Sequence, residues 1–285
     1  MRSSSTCGGS FEGSDCAHLQ VGTLSSVMAL TRAFWSLLLL TVAGAPSAQS
    51  PVSPAQQETE AAPNKRAFAS GERLTYDVSF GHLHVGSGTM LLAGPDTIRG
   101  HTAWRAVFTI AGGTFFFHVR DSTVSWFDTT TLSSLRFVQH ISEGRYHANR
   151  DFHIYPERAT FSRNDAPEVA SVRDPLDDGS FLYFLRSVPL EIGHTYTFNR
   201  YFQPAGNPII IHVLRREQVT VPAGTFNAIV VQPRIGTSRI LSHKGHAEVW
   251  LADDSTHMML QLKSSLPFGS INLYLAKYSL GERSP

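Results

Sequence analysis

Cysteine is almost missing from this 285-residue chain: Cys7 and Cys16 are the only two, and both stand in the first 27 residues. The remainder can have no disulfide framework, no cysteine nucleophile and no thiolate metal site. Basic clusters are missing as well. No run of Lys or Arg exceeds a pair such as Arg215-Arg216, and 24 basic against 23 acidic residues leave a formal charge of +1. That argues against nucleic acid as a partner, because phosphate binding needs a clustered basic surface. No apolar run reaches the roughly 20 residues of a membrane-spanning helix. Nor is there a Gly-x-Ser-x-Gly elbow or a glycine-rich loop opening a helix, so the usual marks of hydrolases and nucleotide-binding enzymes are lacking.

What is present begins at Met28. Met28-Ala-Leu-Thr-Arg32, an apolar stretch from Ala33 to Val42 and the small-residue exit Ala43-Gly-Ala-Pro-Ser-Ala48 have the order that a signal peptidase reads. The expected product is exported and cleaved after Ala48, leaving Gln49 first, in a periplasmic compartment. No cysteine follows the apolar stretch, so a lipid-modified N-terminus is not expected. Residues 1–27, rich in Ser and Gly and without apolar periodicity, read as a non-native extension ahead of the true start. The alternative is an unusually long polar lead to the signal. Removing residues 1–48 takes away Arg2, Arg32, Glu12 and Asp15, so the charge stays at +1.

Residues 49–70 are dominated by Pro, Ala, Gln and Glu and read as a disordered spacer. One β domain is expected over 71–282. Its first segment alternates, with Leu74, Tyr76, Val78 and Phe80 on one face and Thr75, Asp77 and Ser79 on the other. The same period of two recurs at Trp104-Phe108, Phe152-Ile154, Tyr196-Phe198, Val249-Leu251 and Leu273-Leu275. Turn residues at Gly94-Pro-Asp, Gly112-Gly113, Ser142-Glu-Gly144, Pro222-Ala-Gly224 and Ala252-Asp-Asp254 separate these runs. The fold class is therefore all-β, a mainly antiparallel curled sheet or barrel, with one packed α-helix. That helix is expected over Pro175–Val188, with Asp174 as N-cap and Pro189 as its stop. Its apolar residues cover most of its circumference, so it should be buried as a plug. Residues 208–214 and the cluster Phe115-Phe116-Phe117 break the alternation and should be covered on both faces.

Candidate chemistry is sparse. His82 and His84 share one strand face, and His243 and His246 lie near Glu248, but neither set has the spacing of a known metal motif. No metal, no cofactor and no catalytic group is expected. The aromatic residues Tyr76, Trp104, Phe108, Phe115, Phe116, Phe117, Trp126 and Phe184 are the candidate ligand-binding set. If the sheet curls around a cavity they would line it and suit a lipid-like or glycan ligand. If the core is filled, the protein is instead a scaffold for another envelope protein, and an enzyme of envelope glycan or lipid is a third reading.

Several segments occur in a fixed order: Glu72-Arg-Leu-Thr-Tyr-Asp-Val-Ser-Phe80, Val85-Gly-Ser-Gly-Thr-Met90, Asp174-Pro-Leu-Asp-Asp-Gly-Ser-Phe-Leu-Tyr-Phe-Leu-Arg186, Val221-Pro-Ala-Gly-Thr-Phe226, Glu248-Val-Trp-Leu-Ala-Asp-Asp254 and Leu266-Pro-Phe-Gly-Ser-Ile271. Together they resemble the DUF3108 family of exported bacterial proteins over roughly residues 70 to 280. The resemblance implies an antiparallel β domain in the cell envelope and implies no activity. The upstream extension and the Phe115–Phe117 cluster depart from the family pattern.

Overall fold

The computed structural model describes residues 67–114, 117–236, 241, 247–266 and 269–282. Among them are β1 (Arg73–Phe80), β2 (Leu83–Ile98), β3 (His101–Thr114), β4 (Phe117–Asp128), β5 (Ser134–Glu143), β6 (Tyr146–Tyr155), β7 (Thr160–Arg163) and β8 (Val169–Ala170). Helix α1 (Asp178–Leu185) follows, then β9 (Thr195–Phe198), β10 (Ile209–Val221), β11 (Gly224–Arg234), β12 (Ala247–Ala252), β13 (Met259–Leu266) and β14 (Gly269–Ser279). All these strands join one antiparallel sheet in the order β8-β7-β6-β5-β4-β3-β2-β1-β14-β13-β12-β11-β10-β9. The sheet curls but does not close by backbone pairing, since β8 and β9 remain its edges.

Side chains bridge that gap. Phe202, from the segment between β9 and β10, sits with its ring centroid 5.1 Å from Phe152, 5.2 Å from Phe161 and 6.1 Å from Phe137. Leu176 forms a parallel bridge with Tyr201, and the Ser171 hydroxyl donates to the Phe202 carbonyl. Aromatic packing thus brings β5–β7 against the β9 side, where ladder bonds are lacking.

Alternation accounts for β1, where Leu74, Tyr76 and Val78 are buried. Strand 208–214 departs from the expectation of cover on both faces. Ile209, Ile211 and Val213 are buried, whereas Ile210 is half-buried and Leu214 exposed, so only one face packs. Two of the expected turns lie elsewhere. Gly94-Pro95-Asp96 falls within β2, where the pairing with β3 slips between Leu92 and Pro95, and Gly112-Gly113 lies within β3. A bulge accommodates the proline and the missing side chains without a reversal.

The expected spacer gives up its last residues to the domain: Ala67, Phe68 and Ala69 are buried and Ser70 bridges to Glu282. Their apolar side chains have a core to join, which composition alone did not reveal. Residues 1–66, including the Met28 segment, lie outside the described residues.

Helix α1 starts three residues later than expected. Asp177, not Asp174, is its N-cap, and the Asp177 Oδ1 accepts from the backbone N–H of Gly179 at 2.7 Å and of Ser180 at 2.9 Å. Ser180 answers by accepting from the Asp177 N–H, which completes a capping box. Asp174 instead adopts a left-handed φ of 49°, incompatible with helix entry. The helix is buried on nearly every side, as its apolar circumference demands: Phe181, Tyr183, Phe184 and Leu185 all lie in the core.

Candidate functional site

The helix divides the inside of the curled sheet into two unlike halves. Its N-terminus crosses β3 and β4, where Gly179 packs so closely that a Cβ would come within 2.7 Å of Ser125 and 3.0 Å of Phe108. Its C-terminus reaches the end where β1 begins, and Arg186 locks it there. The Arg186 guanidinium donates to both Glu72 carboxylate oxygens at 2.6 and 2.9 Å, to the Ala67 carbonyl at 2.6 Å and to the Thr256 carbonyl at 2.9 Å. Its flanks face the rings of Phe68 and Tyr183 at 5.4 and 5.7 Å. A pair 1–2% exposed survives burial only with this degree of hydrogen-bond satisfaction.

A second buried polar group sits under the helix start. The Ser125 hydroxyl donates to Asp177 Oδ2 at 2.7 Å, and the Ser134 hydroxyl lies 2.8 Å from that of Ser180. Burial pushes the Asp177 carboxyl up to about 6, against the opposing effect of its hydrogen bonds. A raised folded value means that the native state keeps a proton the unfolded chain has lost. Asp177 therefore adds stability below about pH 4, and that stability is lost as pH rises through about 6. The stability difference between wild type and Asp177→Asn, measured by urea unfolding, is expected to fall by about 2.5 kcal/mol from pH 4 to pH 7. A flat difference would refute the assignment.

Beyond the helix start no described segment covers the inner face. Strand pairing fixes which side chains share it, because directly opposed residues point the same way. Ser125 and Phe127 touch the core, so Thr123, Asp121 and Val119 of β4 share their face, as do Phe108, Ile110 and Gly112 opposite them on β3. Gln139 of β5 and, through β2 and β1, Ile271 and Leu273 of β14 belong to the same surface. Phe108, Ile110, Val119, Thr123, Gln139, Ile271 and Leu273 are each half-buried, whereas the inner residues around α1 are sealed. The result is an apolar inner wall, with a few polar groups, reachable by water at the end opposite Arg186.

Of the candidate aromatic residues with described side chains, Phe108 alone lies at the edge of this wall. Tyr76, 1% exposed, is core: its hydroxyl donates to the Met259 carbonyl at 2.9 Å. Trp104 packs on Phe68 at 6.1 Å, and Phe184 meets Phe198 edge-on at 5.0 Å, both in the filled half. Trp126 faces outward, next to the inward Phe127, and its indole N–H donates to Asp96 at 3.1 Å while Arg136 lies over its ring. Tight packing thus places Tyr76, Trp104 and Phe184 in the filled half, and strand parity turns Trp126 outward. Phe115 and Phe116 lie outside the described residues, and Phe117 opens β4. The inner wall residues Ile110, Val119, Ile271 and Leu273 escaped the sequence reading because aliphatic alternation looks the same over a core as over an open face.

Among the described residues no cluster of three metal-ligating side chains occurs. His82 and His84 are exposed at the start of β2, and His243 and His246 lie outside the described residues. Among the described residues no helix is long and apolar enough to cross a membrane.

The fold and this site define a barrel-like all-β protein with one plugged and one open end. The family model for DUF3108, a protein family of unknown function, matches residues 75–276, and the chain belongs to that family. No curated protein matches it. Among solved structures it is similar to a β-barrel-like protein of the domain of unknown function DUF1849 from Brucella abortus, at 11% identity and a TM-score of 0.51 over 73% of this chain and 97% of that one. A protein of YmcC-like fold from Bacteroides fragilis also matches, at 12% identity and a TM-score of 0.34 over 74% of this chain and 97% of the other. The Brucella likeness shows the fold alone.

Proposed function

We propose that this is an exported, periplasmic envelope protein that holds an apolar or amphipathic component, lipid-like or glycan, against the open half of its inner face without transforming it. The observation that carries the reading is the half-buried wall of Phe108, Ile110, Val119, Ile271 and Leu273, an apolar surface that no described segment covers while the helix seals the other half. Thr123, Gln139 and Asp121 on the same face supply polar groups that could orient one end of an amphipathic guest. The Met28 segment supports export, and the absence of a nucleophile motif supports a binding role over an enzymatic one.

A fluorescent acyl probe is expected to bind and to be displaced by unlabelled fatty acid, and Ile110→Lys should weaken probe binding more than about tenfold by placing a charge in the wall. The fold should survive, since this position reaches water. The filled core around α1 favours a second reading, an interaction scaffold for an envelope protein. Absence of probe binding in the folded wild type would select it.

A further inference from the structure

The topology gathers alternate hairpins at the open end. In an up-and-down sheet the β1–β2, β3–β4 and β5–β6 connections all reverse on one side. The first and third of these tips carry large apolar side chains in water: Phe80 is 40% exposed, Leu83 60% and Tyr146 47%. Charge on the same tips leans positive. Over residues 80–84, 118–120 and 143–147 the charged side chains are Arg120 and Arg145 against the single acid Glu143, and the imidazoles of His82, His84, His118 and His147 add hydrogen-bonding groups. Between the tips lies an open depression of about 760 Å³ at the rim, lined in part by Val85, Gly112, His118, Arg120 and Gly144 and reaching Val119 at the end of the inner wall. Its floor is backbone: a Cβ on Gly112 would stand 2.1 Å from the Val85 carbonyl oxygen, and one on Gly86 would stand 2.2 Å from that of Ala111. Any side chain at either glycine would force β2 and β3 apart.

We infer that this rim docks on an anionic lipid surface, with Phe80, Leu83 and Tyr146 entering the interface and Arg120 and His118 receiving a phosphate-bearing headgroup in the depression. Apolar tips beside basic residues are the composition of an interfacial anchor, in which apolar burial and attraction to anionic lipid act together. An aromatic residue with a polar end, such as Tyr146, suits the headgroup level. A protein partner would not require the bias toward positive charge. This docking goes beyond the ligand reading, because it engages the hairpin tips and their basic residues, and the rim meets the inner wall only at Val119.

The test is co-sedimentation of the purified protein with vesicles of phosphatidylcholine alone and of phosphatidylcholine with phosphatidylglycerol. Binding is expected on the anionic vesicles, weakened by salt, and at most weak on the neutral ones. A basic residue near such a surface contributes about five-fold in affinity, so Arg120→Glu with Arg145→Glu should lower partitioning more than about tenfold. Leu83→Ser with Tyr146→Ser should lower it on the same vesicles, with an unchanged thermal melt showing that the fold is intact. Ile110→Lys should keep vesicle binding while losing the acyl probe, which separates this rim from the inner wall. Equal partitioning on both vesicle types, no partitioning on either, or no response to the paired variants would overturn the inference.

Discussion

Replacing Arg186 by Ala is expected to destabilise the protein by about 3 to 5 kcal/mol. The cause is less the lost attraction than the stranded partner: Glu72 would keep a charge 1% exposed with no counterion, and the Ala67 and Thr256 carbonyls would lose their donors. Arg186→Lys should recover little, because an ammonium cannot span both Glu72 oxygens and two carbonyls on opposite sides. The double variant Arg186→Met with Glu72→Gln should cost clearly less than the sum of its single replacements, since removing both charges leaves none to strand. Urea unfolding of the four proteins checks this. Additive losses would mean that the pair does not act as a unit.

Phe184→Ala should cost about 3 to 5 kcal/mol and leave acyl-probe binding unchanged. The ring is 6% exposed, meets Phe198 at 5.0 Å and carries the Arg200 guanidinium over its face at 4.9 Å, so its removal opens a void that rigid neighbours cannot refill. The site at the open end lies beyond the helix start, on the other side of Gly179. A loss below about 1 kcal/mol would mean that the helix is no plug. A loss of probe binding in a folded variant would move the site into the filled half.

Much of this architecture was legible in the chain. Period-two alternation gave β1 its faces, and the turn residues Pro222-Ala-Gly224 and Ser142-Glu-Gly144 fall at the β10–β11 and β5–β6 connections. The helix is visible in the chain too, but its first turn is ambiguous there, because Asp174 and Asp177 are both good caps. The proline after Asp174 favoured the earlier one. What decides between them is tertiary: Ser125 and Ser134 come from strands about 50 and 40 residues upstream to satisfy Asp177, and no local pattern announces them.

The same limit governs the site. Trp126 and Phe127 are adjacent, so only one can face inward, and sequence offers no reason to prefer the smaller ring. Glu72 and Arg186 both belong to segments that carry the family resemblance, yet their pairing across 114 positions arises only when the sheet curls around α1. Whether an aliphatic face is sealed or open depends on where α1 stops. Ile110 and Ile211 look alike in the chain and differ in the structure, the first half-buried and the second sealed.

Whether the open inner wall holds a guest is read out by native mass spectrometry of the protein purified from a bacterial envelope without delipidation. The expected spectrum contains a population heavier than the polypeptide by one lipid-like or glycan molecule, released by organic solvent or collisional activation and diminished in Ile110→Lys. A folded protein that carries only its polypeptide mass and takes up no acyl probe would contradict it.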